Sequence, residues 1–261
     1  MASPRQGSPQ TGLTMKAILL AAGVGRRLRP YTEDRPKCLL PFKGKTLLDR
    51  HLDALEATGV HEVIIVLGHC GDQIRAAVAQ RHDAARVQFL ENTRYTEGSI
   101  LSLHTAIGHI DDHADGAIVM DADVLYPREL MRRLVQTPGT AFLVDETSLE
   151  TGEEMTVGIK DGRVRTIDRF VGDGWDLKGE TVGFTKFAAE DAPELRRQMD
   201  ACLAEGLNKA EYEAAIIRML KTCPGRYALV GDLPWTEIDF DADVEKAKEM
   251  LPEIEAVDAK P

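Results

Sequence analysis

Short apolar runs of strand length alternate along this chain with segments of helical period. That alternation restricts the fold more than any single motif does. Lys16–Ala21 reads as a strand. Thr46–Thr58 reads as a helix, because Leu48, Leu52 and Leu55 share one face and Gly59 follows as a stop. Val63–Leu67 is a fully apolar strand, followed by a turn at Gly68–Gly71 and a helix from Asp72. A short strand at Val87–Leu90, a helix at Ser99–Ile110 and a strand at Ala117–Met120 continue the alternation. Pro127–Gln136 reads as a helix with proline in its first turn, and Thr140–Val144 as a strand. Strands separated by helices imply crossover connections and a mostly parallel, buried sheet.

The texture then changes. Met155–Ile159 and Val164–Ile167 flank Lys160-Asp161-Gly162, the pattern of a hairpin. Thr181–Phe187 reads as a strand, Ala192–Glu205 and Glu211–Lys221 as helices, Tyr227–Val230 as a strand and Asp241–Met250 as a last helix. The expectation is one α/β domain over residues 15–251, with an antiparallel insertion at 146–190. A Ser/Pro/Gly/Gln-rich leader at 1–14 and a tail at 252–261 flank it. Of 261 residues 43% are hydrophobic, enough for a core of that size.

The stretch LLAAGVGRRLRPYTEDRPKCLLPF, Leu19 to Phe42, carries the chemistry. Net charge is −11, yet seven basic residues against two acidic ones lie between Arg26 and Lys45. An acidic chain offers nucleic acid no broad face. The local excess suits a small polyanion, and equally a solvated basic loop. Backbone N–H groups of a loop at Ala22-Gly23-Val24-Gly25 can cradle an anion, with Arg27 and Lys37 reaching its oxygens. A tight turn without ligand fits the glycines as well. Neither better-known phosphate loop is present: Leu28 replaces the third glycine of the dinucleotide fingerprint, and Leu39 replaces the first glycine of a Walker loop ending at Gly44-Lys45-Thr46.

The longer pattern is Leu20-Ala21-Ala22-Gly23-x-Gly25-x-Arg27-Leu28, then Pro30, Thr32, Pro36-Lys37, Leu39 and Pro41. It resembles the signature of the nucleotidyltransferases that activate sugar phosphates and related phosphates. The resemblance implies a Rossmann-like fold, a mostly parallel mixed sheet flanked by helices. It also implies that Leu20, Ala21, Ala22, Gly23 and Gly25 lie over the nucleotide, that Arg27 contacts the triphosphate, and that Lys37 sits near the reacting phosphates.

Two acidic clusters fit the same picture. In Met120-Asp121-Ala122-Asp123-Val124 the aspartates follow a strand, where hard oxygen ligands suit Mg²⁺. Spacing by two sends them to opposite faces while the backbone stays extended. A turn or capping role explains them equally. By resemblance Asp123 is the metal ligand, with Asp121 in support. In Trp235-Thr236-Glu237-Ile238-Asp239-Phe240-Asp241, Asp239 matches the late metal-binding aspartate; Glu237 shares its strand face, and Asp241 caps the next helix.

The segments Glu91–Leu103 and Glu237–Ala247 are similar to those of cytidylyltransferases acting on phosphocholine, phosphoethanolamine or aminoalkylphosphonates. That implies CTP, with Thr93, Gly98 and Ser99 at base and ribose. A cationic head group favours aromatic faces and carboxylates, which Tyr212 with Glu213 and Trp235 with Glu237 offer. Core-facing aromatics explain Tyr212 and Trp235 equally. Arg169 and Lys186 are candidate contacts for the acceptor's anionic end, or solvated surface residues. A sugar 1-phosphate acceptor and a non-catalytic nucleotide-sensing relative are the alternatives. A glycosyltransferase would explain Asp-x-Asp and not the early Arg/Lys pattern.

Cys38, Cys70, Cys202 and Cys223 form no metal or disulfide spacing and read as reduced thiols of a cytoplasmic protein. No apolar run approaches the ~18 residues of a membrane span. The seven histidines show no ligand spacing. Monomer and homodimer are both open.

Overall fold

The structure, a computed structural model, describes residues 14–148 and 152–260. Most of the expected leader, residues 1–13, lies outside the described residues. Thr14 is anchored: its N–H and hydroxyl both donate to Asp115, at 2.9 and 3.0 Å.

The first half alternates as the sequence predicts. Strand β1 (Lys16–Ala21) precedes a small hairpin of β2 (Pro41–Phe42) and β3 (Lys45–Thr46), which leads into α1 (Leu47–Ala57). Then come β4 (Glu62–Leu67), α2 (Gly71–Ala79), β5 (Val87–Glu91), α3 (Ser99–Ala106), β6 (Ala117–Asp121), β7 (Val124–Leu125), α4 (Arg128–Gln136) and β8 (Ala141–Asp145). The second half holds β9 (Thr156–Lys160), β10 (Arg163–Asp168), β11 (Leu177–Phe187), α5 (Ala192–Ala204), α6 (Glu213–Met219), β12 (Arg226–Leu229), β13 (Thr236–Glu237) and α7 (Asp241–Asp258).

The main sheet runs β10-β9-β11-β6-β1-β4-β5, with β8 on the other side of β11 and β12 beyond it. Strands β6, β1, β4 and β5 are parallel, and β11 is antiparallel to β6, β8 and β9. The fold is thus a mixed, mostly parallel α/β sheet with a small antiparallel hairpin, β9–β10. Strand alternation sorts the core: Ala17, Leu19 and Ala21 of β1 face one helical layer with α1 and α4, while Ile18 faces the layer of α3, α5 and α6. Helix α1 begins at a capping box, in which the Thr46 hydroxyl accepts from the Asp49 N–H and the Asp49 carboxylate accepts from the Thr46 N–H. No helix among the described residues is long and apolar enough to cross a membrane.

Several boundaries depart from the expectation. Helix α3 ends at Ala106 and tightens into a 3-10 turn at Ile107–His109. Helix α6 is shorter than its pattern suggested, and β11 starts at Leu177 rather than Thr181. The β9–β10 turn is Asp161-Gly162, both left-handed, with Lys160 still in its strand. The last helix does not stop at Met250. It passes Pro252 and reaches Asp258, burying Leu251 and Ile254. Their burial contributes about 1.5–3 kcal/mol each, which offsets the roughly 3 kcal/mol an interior proline costs.

Candidate active site

The site lies at the carboxyl ends of β1 and β6, the position where open parallel sheets bind ligands. Past Ala21 the chain turns at Gly25, whose φ of +64° is left-handed. A side chain there would also crowd Lys37, its Cβ 3.1 Å from the Lys37 Cγ. The Gly25 carbonyl accepts from the Thr32 hydroxyl at 2.7 Å, closing the loop. Two 3-10 turns follow, Arg26–Leu28 and Lys37–Leu39, each pinned by a buried side chain, Leu28 and Cys38. These apolar anchors fix where Arg27 and Lys37 leave the backbone.

The acidic side is built by a two-residue pairing. β13 runs antiparallel to β7, and the Ile238 N–H donates to the Asp123 carbonyl at 3.1 Å. That contact brings Asp123, in the turn after β6, beside Glu237 and Asp239. One carboxylate oxygen from each of the three lies within 4.8 Å of the others. The Lys37 ammonium bonds Asp123 Oδ2 at 3.0 Å and also Asp239. Arg27 bonds Asp239, reaches Glu153 at 3.7 Å, and lies over the Phe240 ring, 5.0 Å from its centroid.

Burial alone would lower the Lys37 ammonium, but Asp123 and Asp239 outweigh it and raise it. Desolvation by the cleft walls, then the charges of Asp123 and Asp239, pushes Glu237 up to about 8 although its side chain reaches solvent. Asp121 is raised well above the usual carboxylate range by burial and by Asp123, Glu213 and Glu237. Glu213 is raised to about 7, chiefly by burial. At Glu237 the neighbouring carboxylates outweigh Lys37. Asp123 Oδ1 is buried with no hydrogen-bond partner. Three convergent carboxylates, one of them with an unpartnered oxygen, fit a divalent cation.

Hollows open on both sides of this cluster. Leu20, Ala21, Gly23 and Gly25 line a pocket of about 290 Å³ with Arg27, Lys37, Asp123 and Asp239. A second, about 390 Å³, is walled by Asp145, Glu153, Glu180, Trp235 and Glu237. A third, about 260 Å³, continues past Asp121 to Arg169, Tyr212 and Glu213.

The remaining expected residues are placed unevenly. Ala22 is buried, and its carbonyl accepts from the His69 N–H at 3.1 Å. Thr93 is exposed and lines none of these hollows. Buried Gly98 leads into a segment held by other backbone: the Ile100 N–H donates to the Ala210 carbonyl, and the Ser99 hydroxyl accepts from the Tyr212 N–H. Ser99 still borders the third hollow. Arg169 is at the rim, paired with Glu211 at 2.7 Å. The Trp235 indole N–H donates to Asp145 at 2.8 Å. The Tyr212 hydroxyl donates to Asp121 at 2.9 Å.

Two expectations are corrected. Lys186 is not in the cleft. Because β11 is antiparallel to β6, Lys186 pairs with Ile118 near the start of β6, toward the opposite end of the sheet. Its ammonium is spent on the carbonyls of Val135 (3.1 Å) and Thr137 at the end of α4. Asp241 does not cap α7. The Asp243 carboxylate reaches back to the N–H groups of Asp239 and Phe240, at 2.9 and 2.7 Å, and thereby fixes the Asp239 backbone. The sequence reading also missed Asp145, Glu153 and Glu180. Only Asp243 had a readable signal, its position three residues into a helix.

A sheet of this topology, with a glycine loop, two cations and convergent carboxylates at its carboxyl edge, is the arrangement of a nucleotide-handling α/β domain. The chain belongs to the MobA-like NTP transferase domain family, the match covering residues 17–173. It is 25% identical over 255 residues to a CTP:phosphoglutamine cytidylyltransferase of Campylobacter jejuni, covering 88% of this chain and 98% of that protein. A 2-aminoethylphosphonate cytidylyltransferase of Lancefieldella rimae is 27% identical over 184 residues, 70% of this chain and 71% of that one. Among solved structures, the CTP:phosphocholine cytidylyltransferase of Streptococcus pneumoniae superposes with a TM-score of 0.75 at 23% identity, covering 92% of this chain and all of that one. At that identity the likeness speaks to the fold.

Proposed function

We propose that the protein transfers CMP from CTP to a phosphate or phosphonate acceptor bearing an amino-alcohol-type head group, such as phosphocholine, phosphoethanolamine or 2-aminoethylphosphonate. Pyrophosphate is released. The observation that carries this reading is the meeting of Arg27 and Lys37 with Asp123 and Asp239 beside the glycine loop.

In this reading the triphosphate lies along the glycine loop, with Arg27 and Lys37 drawing charge from its oxygens. The acceptor's anionic oxygen attacks the α-phosphorus in line. A new P–O bond forms, the bond to the bridging oxygen of the β-phosphate breaks, and pyrophosphate leaves with that electron pair. The attacking oxygen is already ionised, so no general base is required. Two polyanions repel, and the chain's main task is to hold them close and screen them. Asp123 and Asp239, with Glu237 beside them, would hold Mg²⁺, which when bound supplies charge neutralisation at the reacting phosphates. Trp235 and the carboxylates of Asp145, Glu153 and Glu180 favour a cationic head over a neutral sugar.

The test is pyrophosphate release with each of the four ribonucleoside triphosphates against a panel of amine-bearing phosphates, aminoalkylphosphonates and sugar 1-phosphates. CTP with an amine-bearing acceptor should be fastest. Faster release with a sugar 1-phosphate, or with another nucleotide, would sink this assignment.

A further inference from the structure

We propose that Tyr212 is a positioning residue for the metal-binding carboxylates, acting through Asp121. The inference rests on the metal-dependent reading above and goes beyond it. Asp121 ends β6, two residues before Asp123, and its carboxylate is enclosed on two sides. On one side the Tyr212 hydroxyl donates to Asp121 Oδ2 at 2.9 Å. On the other stands Gly183, with φ of +76°, where an added Cβ would lie 2.7 Å from Asp121 Oδ2. The absence of a side chain at Gly183 leaves the carboxylate its room, and the phenol fixes its direction.

Tyr212 is itself held. It is 5% exposed, its N–H donates to the Ser99 hydroxyl at 3.0 Å, and the Ile100 N–H donates to the Ala210 carbonyl at 3.2 Å. The starts of α3 and α6 are thereby clamped together over the end of β6. Without the phenol, the half-buried Asp121 carboxylate loses the side-chain donor that holds it. It can then leave its place at the end of β6 and draw the Ala122–Asp123 turn with it, which displaces Asp123 from the set it forms with Glu237 and Asp239. Removing a group bonded directly to a ligand typically changes metal affinity by about 10- to 100-fold; Tyr212 acts through one more residue, which puts its effect at the lower end of that range.

Mn²⁺ binding by electron paramagnetic resonance tests this on the intact chain. Tyr212→Phe removes one oxygen and keeps the ring. Its Mn²⁺ dissociation constant should rise about 10-fold, while the KM for CTP at saturating metal stays within a factor of about two. In an Asp121→Asn background the same change should have no further effect, since the carboxylate that the phenol holds is gone. Unchanged Mn²⁺ affinity in Tyr212→Phe, or an equal effect in both backgrounds, overturns the inference. Should Tyr212→Phe not fold, Ser99→Ala loosens the same clamp and should weaken Mn²⁺ binding in the same direction; no weakening counts against it. Asp123→Asn separates the two readings. If the wild type binds Mn²⁺ no better than Asp123→Asn, the metal site fails and the positioning role with it. If only Tyr212→Phe matches the wild type, the positioning role alone falls.

Discussion

Lys37 and Asp123 are joined by a 3.0 Å ion pair across 86 positions of sequence, and the same ammonium bonds Asp239. One mostly buried cation thus ties the early basic loop to both acidic clusters. Its position also shows how much negative charge the cleft must balance before any ligand arrives.

Replacing Lys37 by Met should therefore act on stability as well as turnover. Removing one partner of a buried pair costs about 3–5 kcal/mol when nothing replaces it. Thermal unfolding in chelator should show a lower Tm for Lys37→Met than for the wild type, and Mg²⁺ should narrow the gap by taking up the freed carboxylates. Equal Tm values in chelator would mean the pair is not holding the loop.

His51 gives a pH dependence. It is fully buried, and burial lowers its pKa to about 4. The core favours the neutral ring, so this stability is fully present above the unfolded value of about 6.5. As pH falls from 6.5 toward about 4, only the unfolded chain takes up the proton. Stability is then lost at up to about 1.4 kcal/mol per unit, levelling off below. Urea unfolding at pH 7.5 and pH 5 should show a loss about 2 kcal/mol smaller in His51→Gln than in the wild type. The same loss in both would show that this imidazole is protonated in the folded state.

Trp235→Ala should separate the two substrates. A cation against an indole face contributes about 1–2 kcal/mol in a partly desolvated site, or roughly 5- to 30-fold. The acceptor's KM should rise by that factor and the KM for CTP should hardly move. Parallel losses would reduce Trp235 to a packing residue bonded to Asp145.

The sequence exposed the local parts of this site and hid the long-range ones. Arg27, Lys37, Asp123 and Asp239 each sit in a short stretch that resembles a family signature, so they could be picked out locally. The alternation of strands and helices gave the sheet for the same reason. Lys186 misled because strand periodicity assigns a face and says nothing about which end of the sheet a residue reaches; the antiparallel course of β11 decided that. Glu237 was legible as an acid beside Asp239. Its convergence with Asp123 depends on the two-residue β13–β7 pairing, too short to leave a pattern. The Tyr212 hydroxyl finds Asp121 across 91 positions, a contact no local rule contains. The last helix outran its expected end at Met250, because Leu251 and Ile254 beyond it are buried.

Pyrophosphate release by Asp123→Asn and Asp239→Asn, measured with CTP, Mg²⁺ and the best acceptor, bears most directly on the cation-and-carboxylate centre. Each variant should fold and should lose at least about 100-fold in kcat, the scale expected when one preorganised charge is removed from a transition state. Wild-type turnover in either variant would contradict the assignment of those two carboxylates to the reaction.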